Sequence, residues 1–456
     1  MIENTKIPLN EIGTVYKAYS KYRIALIYPN SYHIGMSNLG MHTIYHELNS
    51  RQDTFCERVF FEQERKILSF ETRRPLLEFD ILAFSVSYEI DYLNVLKILK
   101  SSYIPIRNTE RSSEFPLLIA GGVITHFNFK PLLRIVDVVV IGEGEFLIHR
   151  LMNEFKKFSP RLNRSRNNFL ERLSKLKGFF IPYKSRKVIS EEIDDINSIE
   201  TCTRILTKFT EFSNTFLIEL TRGCPFKCNF CVTAYMYKNV RFRDYRNILE
   251  TAKKGLRFTK RIGLIGASLP NYPNINLLCN ELKKIGAQIS FSSLRVDFIT
   301  EEILKTLVES GQGSITIAPE SGNERLREIL NKPIKDGKII EVIKRAKNLG
   351  IKTIKLYFMI GLPGENIDDI ISIIKLSNTI SKILNPKLSI SPFIPKPNTP
   401  FEKIPFEDIK MLKDKIKYIR SNLRNNILCS FESPRLARLE FLLSHGDEEV
   451  LFHFNT

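Results

Sequence analysis

The sequence predicts an α/β protein of two parts: an N-terminal doubly wound parallel sheet over residues 1–155 and, after a basic linker over 156–212, an incomplete barrel of six β/α units over 213–395. Three observations predict it. Short apolar runs alternate with amphipathic helical stretches along most of the chain, several of those runs stop on glycine, and 456 residues exceed what one hydrophobic core usually supports.

In the first part, "RIALIYP" (23–29) reads as a strand and "NLGMHTIYHELNS" (38–50) as a helix. "DILAFSVS" (80–87) and "DYLNVLKILKSS" (91–102) repeat the pair. "PLLIAGG" (116–122) and "VDVVVIGEGE" (136–145) continue with two buried strands. Near-continuous apolar strands separated by helices belong to parallel sheets covered on both faces, whose ligand crevice lies at the carboxyl ends of the strands. Gly121, Gly122, Gly142 and Gly144 fall at those ends, where they either turn the chain tightly or let backbone approach a bound group.

The second series begins at 214. Strands are predicted at 215–220, 262–267, 288–293, 314–319, 353–361 and 387–394, and helices at 246–258, 275–286, 300–311, 339–350 and 367–384. Several of these helices end on glycine, as a left-handed C-terminal cap requires. A barrel of six such units is open on one side and can admit a large substrate. The last stretch, 396–456, starts with a proline-rich loop and continues with helical signals as a C-terminal extension.

Composition narrows the class. With 43% apolar and 26% charged residues the chain has the balance of a globular protein. It has no apolar run long enough for a bilayer, and its first residues, "MIENTKIPLNEIG", lack the layout of a secretory signal. A cytoplasmic location and no membrane partner are expected. The net charge of +18, densest over 156–187, makes nucleic acid a candidate partner, against a solvated basic surface. Four of the seven cysteines, Cys56, Cys202, Cys279 and Cys429, stand alone and read as isolated thiols.

The other three crowd together in "LIELTRGCPFKCNFCVTAY" (217–235), directly after the first strand of the second series. That is the barrel mouth, where such folds place their chemistry. Structural zinc wants four ligands, and no second Cys or His pair follows at suitable spacing. An iron–sulfur cubane also takes four thiolates. Cys224, Cys228 and Cys231 alone would leave one iron open to a chelating ligand.

Cys224-x3-Cys228-x2-Cys231, with Phe230 before the last cysteine, resembles the signature of the radical S-adenosylmethionine (SAM) superfamily. The resemblance implies a [4Fe-4S] cluster on these three residues, SAM chelating the free iron, and a 5′-deoxyadenosyl radical that removes a hydrogen atom. It also implies SAM contacts at successive strand ends: Gly266, Ala267 and Ser268 in "GAS", where the amino group is held; Ser292 and Arg295 in "SSLR", with the guanidinium toward the carboxylate; Glu320 in "APESG", toward ribose hydroxyls or the amino group; and Gly361 in "MIGLPGE", the adenine element, alongside Phe230. The plain alternative for each is a turn or cap, with Ser321 and Glu324 spaced like a capping box.

"YPNSYHIGMSNLGMHTIYHELN", "FDILAFSVSYEIDYLNVL", "IAGG", "GEGE", "TIAPESGNERLREILNKPI" and "SPFIPKPNTPF" extend the resemblance to radical SAM proteins with an N-terminal cobalamin-binding-type domain. The fold it implies is a flavodoxin-like domain before a partial TIM barrel. Cobalamin is then a further candidate cofactor. The lower-ligand pattern Asp-x-His-x-x-Gly is broken by Ser31 and by Gly35 falling one residue early, so His33 is expected to be a loop residue; several relatives bind cobalamin without that histidine. His42 and His46, at i and i+4, lack a carboxylate partner and make a poor metal site.

The expected function is radical SAM chemistry on an unidentified substrate, with cobalamin-dependent methylation as one form and a flavodoxin or ferredoxin as reductant. Methylthiolation is disfavoured because no second set of three cysteines is present. Radical modification of RNA without cobalamin and a non-catalytic corrinoid or cluster carrier are the alternatives.

Overall fold

The computed structural model describes residues 10–62, 66–158, 163–267, 269–291 and 294–454. Contacts divide them into two compact units, one made of the described residues up to 215 with those from 443 onward, the other of 216–442.

The first unit is built on six strands: β1 (Tyr22–Tyr28), β2 (Thr54–Phe60), β3 (Ile81–Ser85), β4 (Leu117–Gly121), β5 (Val138–Val140) and β6 (Phe179–Phe180). Their spatial order is β2-β1-β3-β4-β5-β6, parallel except that β6 runs antiparallel to β5. The doubly wound, flavodoxin-like order places a topological switch between β1 and β3. Ile24, Leu26, Ile81, Ala83, Leu117, Ile119 and Val138 form the sheet side of one core, against Met41, Tyr45 and Leu48 of helix Leu39–Ser50 and Leu147 and Leu151 of helix Gly144–Phe158.

Strand β2 was not predicted. Its sequence "TFCERVF" places Glu57 and Arg58 at fully buried positions, and two charges in seven residues hide the apolar pattern. Burial is tolerated because Arg58 is paired on both sides, Nε to Glu71 Oε1 at 2.7 Å and Nη2 to Glu11 Oε2 at 2.7 Å.

In the second unit the six expected strands are present as β7 (Phe216–Arg222), β9 (Arg261–Gly266), β10 (Gln288–Phe291), β11 (Ser314–Glu320), β12 (Thr353–Ile360) and β13 (Asn385–Pro392); β8 (Arg241–Phe242) is a short antiparallel addition. They form two sheets, β10-β9-β7-β8 and β11-β12-β13-β14. Strand β14 (Leu428–Phe431) lies within the C-terminal stretch and pairs parallel with β13; its four residues "LCSF", with Leu428 65% exposed, carry too little pattern to predict. Helices Tyr245–Leu256, Ile275–Lys284, Glu301–Glu309, Asp336–Asn348 and Ile367–Ile380 alternate with the strands as expected. Gly286, Gly311 and Gly350 follow three of them with φ of +87°, +80° and +103°, the left-handed conformation that a C-terminal glycine supplies. No helix of the described residues is long and apolar enough to cross a membrane.

Candidate functional site

Strand β7 (FLIELTR) is apolar up to Leu220 except for Glu219, which pairs with Arg222 and Arg243, and Gly223 follows its last residue. Gly223 has φ +90°, and a side chain there would press on the backbone of Asn239 and Val240, so the chain turns sharply into the cysteine loop. Within the loop Lys227 also takes a left-handed φ of +50°; its ammonium donates to the carbonyl of Ala234 at 2.7 Å, and its carbonyl accepts from the Tyr235 hydroxyl at 2.9 Å.

The loop is fastened to helix Glu324–Ile329 and the residues just after it. The Asn229 amide N–H donates to Leu330 O at 3.0 Å and its side chain to Ile329 O at 2.8 Å, while the Asn331 side chain donates to Lys227 O at 2.8 Å. Phe230 packs on Leu326, Leu330, Leu362, Phe393 and Phe401. None of the asparagines was singled out in the sequence, because their partners lie about a hundred positions away.

Cys228 is buried and Cys224 and Cys231 half-buried. Burial pushes the Cys224 and Cys228 thiols above their ordinary value, and the neighbouring cysteines add to this, whereas Arg295 and Lys332 oppose it. Among the described residues no three His, Cys, Asp or Glu side chains gather tightly enough for a single metal ion. A cubane spreads its ligands over separate irons, and three soft thiolates with no imidazole or carboxylate among them are its donor set. The residues fit such a cluster.

The expected SAM residues fall as follows. Gly266 closes β9, where a side chain would collide with Thr221 Oγ1, 2.4 Å from the position of its first carbon; Ala267 follows it. Ser268 and Ser292 lie outside the described residues. Arg295 Nε donates to both carboxylate oxygens of Asp297 at 2.9 Å, and its Nη1 approaches Cys228 Sγ at 3.7 Å. Glu320 ends β11 at φ +68° and pairs with Lys332, 2.8 Å away, both nearly buried. Gly361 follows β12 at φ +84°, its N–H donating to Glu365 Oε1 at 2.9 Å. Lys415 Nζ then bridges Glu365 and Glu407 at 2.6 Å each; burial pushes the Glu365 carboxyl up despite that cation. The structure thus brings Arg295 and Lys332, the partner of Glu320, into electrostatic reach of Cys224 and Cys228, and packs Phe230 against the apolar cluster that holds Leu362, next to Gly361.

Ser321 and Glu324 do not form a capping box. Asn323 caps helix Glu324–Ile329, while Ser321 Oγ accepts from the Asn323 N–H and Glu324 Oε1 from the Asp336 N–H. Behind this turn, Arg327 is fully buried and donates to the carbonyls of Ser321, Gly322 and Ile334 and to Asp336. It was not singled out in the sequence, where it reads as an ordinary helical cation.

In the first unit, two of the strand-end glycines, Gly122 and Gly142, make room for neighbouring backbone. A side chain at Gly122 would strike Val86 O at 2.5 Å, and one at Gly142 would strike Glu191 O at 2.1 Å, where residue 191 bridges to Gly142. Ser31 caps the short helix Tyr32–Gly35, which contains His33 where a loop was expected. Gly35 makes room for the Phe60 ring, whose nearest atom lies 2.6 Å from where its side chain would begin. His33 Nε2 lies 3.9 Å from the exposed Glu211 carboxylate. His42 is wholly engaged: its Nδ1 accepts from the N–H groups of Arg204 and Ile205 at 3.2 and 3.3 Å, and Nε2 bonds Met36 O at 2.9 Å. Neither ring has a carboxylate at hydrogen-bonding distance, so these two residues do not form the carboxylate-fixed imidazole of a corrinoid lower ligand.

A family model described as "Radical SAM proteins, N-terminal" matches residues 40–182, and one described as "Radical SAM superfamily" matches residues 218–377. The protein MJ0966 of Methanocaldococcus jannaschii is 31% identical over 434 residues, covering 94% of this chain and 89% of its own. PH0819 of Pyrococcus horikoshii, described as an uncharacterized methyltransferase, is 25% identical over 302 residues, 61% of each chain. Among solved structures, the cobalamin-dependent SAM radical enzyme OxsB matches with a TM-score of 0.58 at 16% identity, covering 92% of this chain. The chain spans 60% of the length of OxsB. The radical SAM methyltransferase TsrM from Kitasatospora setae, solved with cobalamin and a [4Fe-4S] cluster, matches with a TM-score of 0.58 at 11% identity, covering 87% of this chain and 78% of its own.

Proposed function

Because this chain belongs to the radical SAM superfamily, with the two-part fold of its cobalamin-dependent members, we propose that Cys224, Cys228 and Cys231 hold a [4Fe-4S] cluster and that SAM binds beside it. A cluster on these thiolates supplies the electron that splits the SAM sulfonium into methionine and a 5′-deoxyadenosyl radical. The observation that carries the reading is the three-thiolate donor set at the mouth of β7, joined by hydrogen bonds to the end of helix Glu324–Ile329.

The remaining work falls to other residues of the chain. The backbone at Gly266 and Ala267, free of a side chain at the first position, receives the SAM amino group. Glu320, held by Lys332 at 2.8 Å, presents its carboxylate to the amino group or the ribose hydroxyls. The turn at Gly361, braced by Glu365 and Lys415, sets a wall for the adenine. Phe230 and its apolar neighbours keep water from that side of the site, which protects a radical from quenching. A flavodoxin or ferredoxin serves as reductant, and the basic balance of the chain supports RNA as one substrate class.

The decisive experiment is anaerobic reconstitution followed by iron analysis and assay of 5′-deoxyadenosine with a strong reductant. Wild-type protein is expected to hold a cluster and release 5′-deoxyadenosine slowly even without substrate; a non-catalytic carrier would release none. Cys228→Ala should lose both properties. Full iron content and turnover in that variant would show that the ligands are misassigned.

A second reading, methyl transfer through cobalamin, is favoured by the fold shared with OxsB and TsrM. A corrinoid in the first unit would bind without a protein imidazole on cobalt. Reconstitution with hydroxocobalamin and desalting tests it, since absence of retained corrinoid absorbance leaves the unit as a substrate or partner platform.

A further inference from the structure

Arg295 follows β10 and is held on three sides. In its plane, Nε donates to both oxygens of Asp297 at 2.9 Å. On its face, the guanidinium carbon sits 4.2 Å from the centre of the Phe226 ring, which packs on Phe298 at 5.2 Å. At its free end, Nη1 lies 3.7 Å from Cys228 Sγ. Only 13% of the side chain is exposed. The carboxylate clamp and Phe298 come from the turn that follows Arg295, and Phe226 comes from the cysteine loop, so the cation is oriented by the two segments it joins.

A guanidinium meant only to receive a ligand carboxylate would need its fork free. Here Asp297 already takes the Nε N–H, and an Nη1 N–H is directed at sulfur. Asp297 offsets the charge at a distance, but the N–H dipole aimed at the sulfur acts at short range in a poorly hydrated site. Hydrogen bonds to cluster thiolates and nearby charge are levers on reduction potential: they withdraw electron density from sulfur and favour the more negative, reduced state.

We propose that Arg295 is a positioning residue that raises the reduction potential of the cluster through its N–H bond to Cys228, with Asp297 setting the strength of that effect. This rests on Cys224, Cys228 and Cys231 being the cluster ligands.

The test is an EPR-monitored potentiometric titration of the reconstituted full chain without SAM, comparing wild type, Arg295→Gln and Asp297→Asn, each with its iron content and separately measured SAM affinity. Arg295→Gln should shift the midpoint negative, so that at the wild-type midpoint the ratio of reduced to oxidised cluster falls about tenfold, equivalent to 59 mV for a one-electron couple. Asp297→Asn removes the offsetting charge and should shift it positive. Unchanged midpoints with weakened SAM binding in Arg295→Gln would overturn the proposal and make the guanidinium a SAM anchor. If Arg295→Gln cannot retain iron, Asp297→Asn decides alone: a positive shift supports the proposal and no shift overturns it. A wild-type protein without a cluster would overturn the ligand reading itself, and iron analysis reveals that before any variant is compared.

Discussion

Acidification should loosen the first unit through His42. The residue is buried, on helix Leu39–Ser50, and its Nδ1 accepts two backbone N–H groups, from Arg204 and Ile205. The proton therefore sits on Nε2, which donates to Met36 O. Burial first, helped by the nearby Arg58 and Arg204 cations, pushes the imidazole pKa from 6.5 down to about 4. The unfolded chain thus binds a proton that the folded chain refuses, so stability is flat above pH ~6.5 and falls as pH drops toward 4. At 1.36 kcal/mol per pKa unit, the loss reaches roughly 2 kcal/mol by pH ~5 and about 3 kcal/mol once both states are protonated. A chain of two units does not unfold in one step, so the assay must be local: hydrogen exchange of peptides covering residues 39–50 and 203–206, with rates normalised to intrinsic exchange at each pH. His42→Gln serves as the reference, because a neutral amide has nothing to titrate and other groups cancel in the difference. Wild type should lose about 2 kcal/mol of opening free energy relative to the variant between pH ~7 and ~5. A difference that stays constant over that interval would refute the buried neutral imidazole.

Gly322→Ala should destabilise the second unit by about 3 kcal/mol or more. The added carbon would lie 2.1 Å from Ile373 N and 2.5 Å from Ile373 Cα, and helix backbone cannot move aside as a side chain can. Unchanged hydrogen exchange of peptides covering residues 314–322 and 367–380 would show that the approach is looser. Glu320→Ala should weaken SAM binding about tenfold, by removing a charged partner and leaving the nearly buried Lys332 unpaired. Equilibrium dialysis with the reconstituted protein measures it, and an unaltered dissociation constant would remove Glu320 from the site.

How much of this was legible in the chain depended on how local each signal is. The strand at 216–222 and its three cysteines occupy one continuous segment, so the resemblance that makes them the expected ligand set could be seen in local sequence. Strand β2 was hidden because its stability depends on Glu11 and Glu71 reaching Arg58 from 47 and 13 positions away. The same reasoning explains the site. Arg295 could be marked as a cation near the mouth, but its clamp by Asp297 and its approach to Cys228, 67 positions distant, exist only after folding. The capping box at Ser321 and Glu324 failed for a related reason: Asn323 competes for the same turn, and Arg327 draws the carbonyls of Ser321 and Gly322 inward. Residue type therefore declares which atoms can meet a metal or a nucleoside, whereas long-range pairing sets how those atoms are oriented and charged. Those pairings, from Asn229 to Ile329 and from Arg295 to Cys228, are where variants should separate loss of the cluster from a change in its potential.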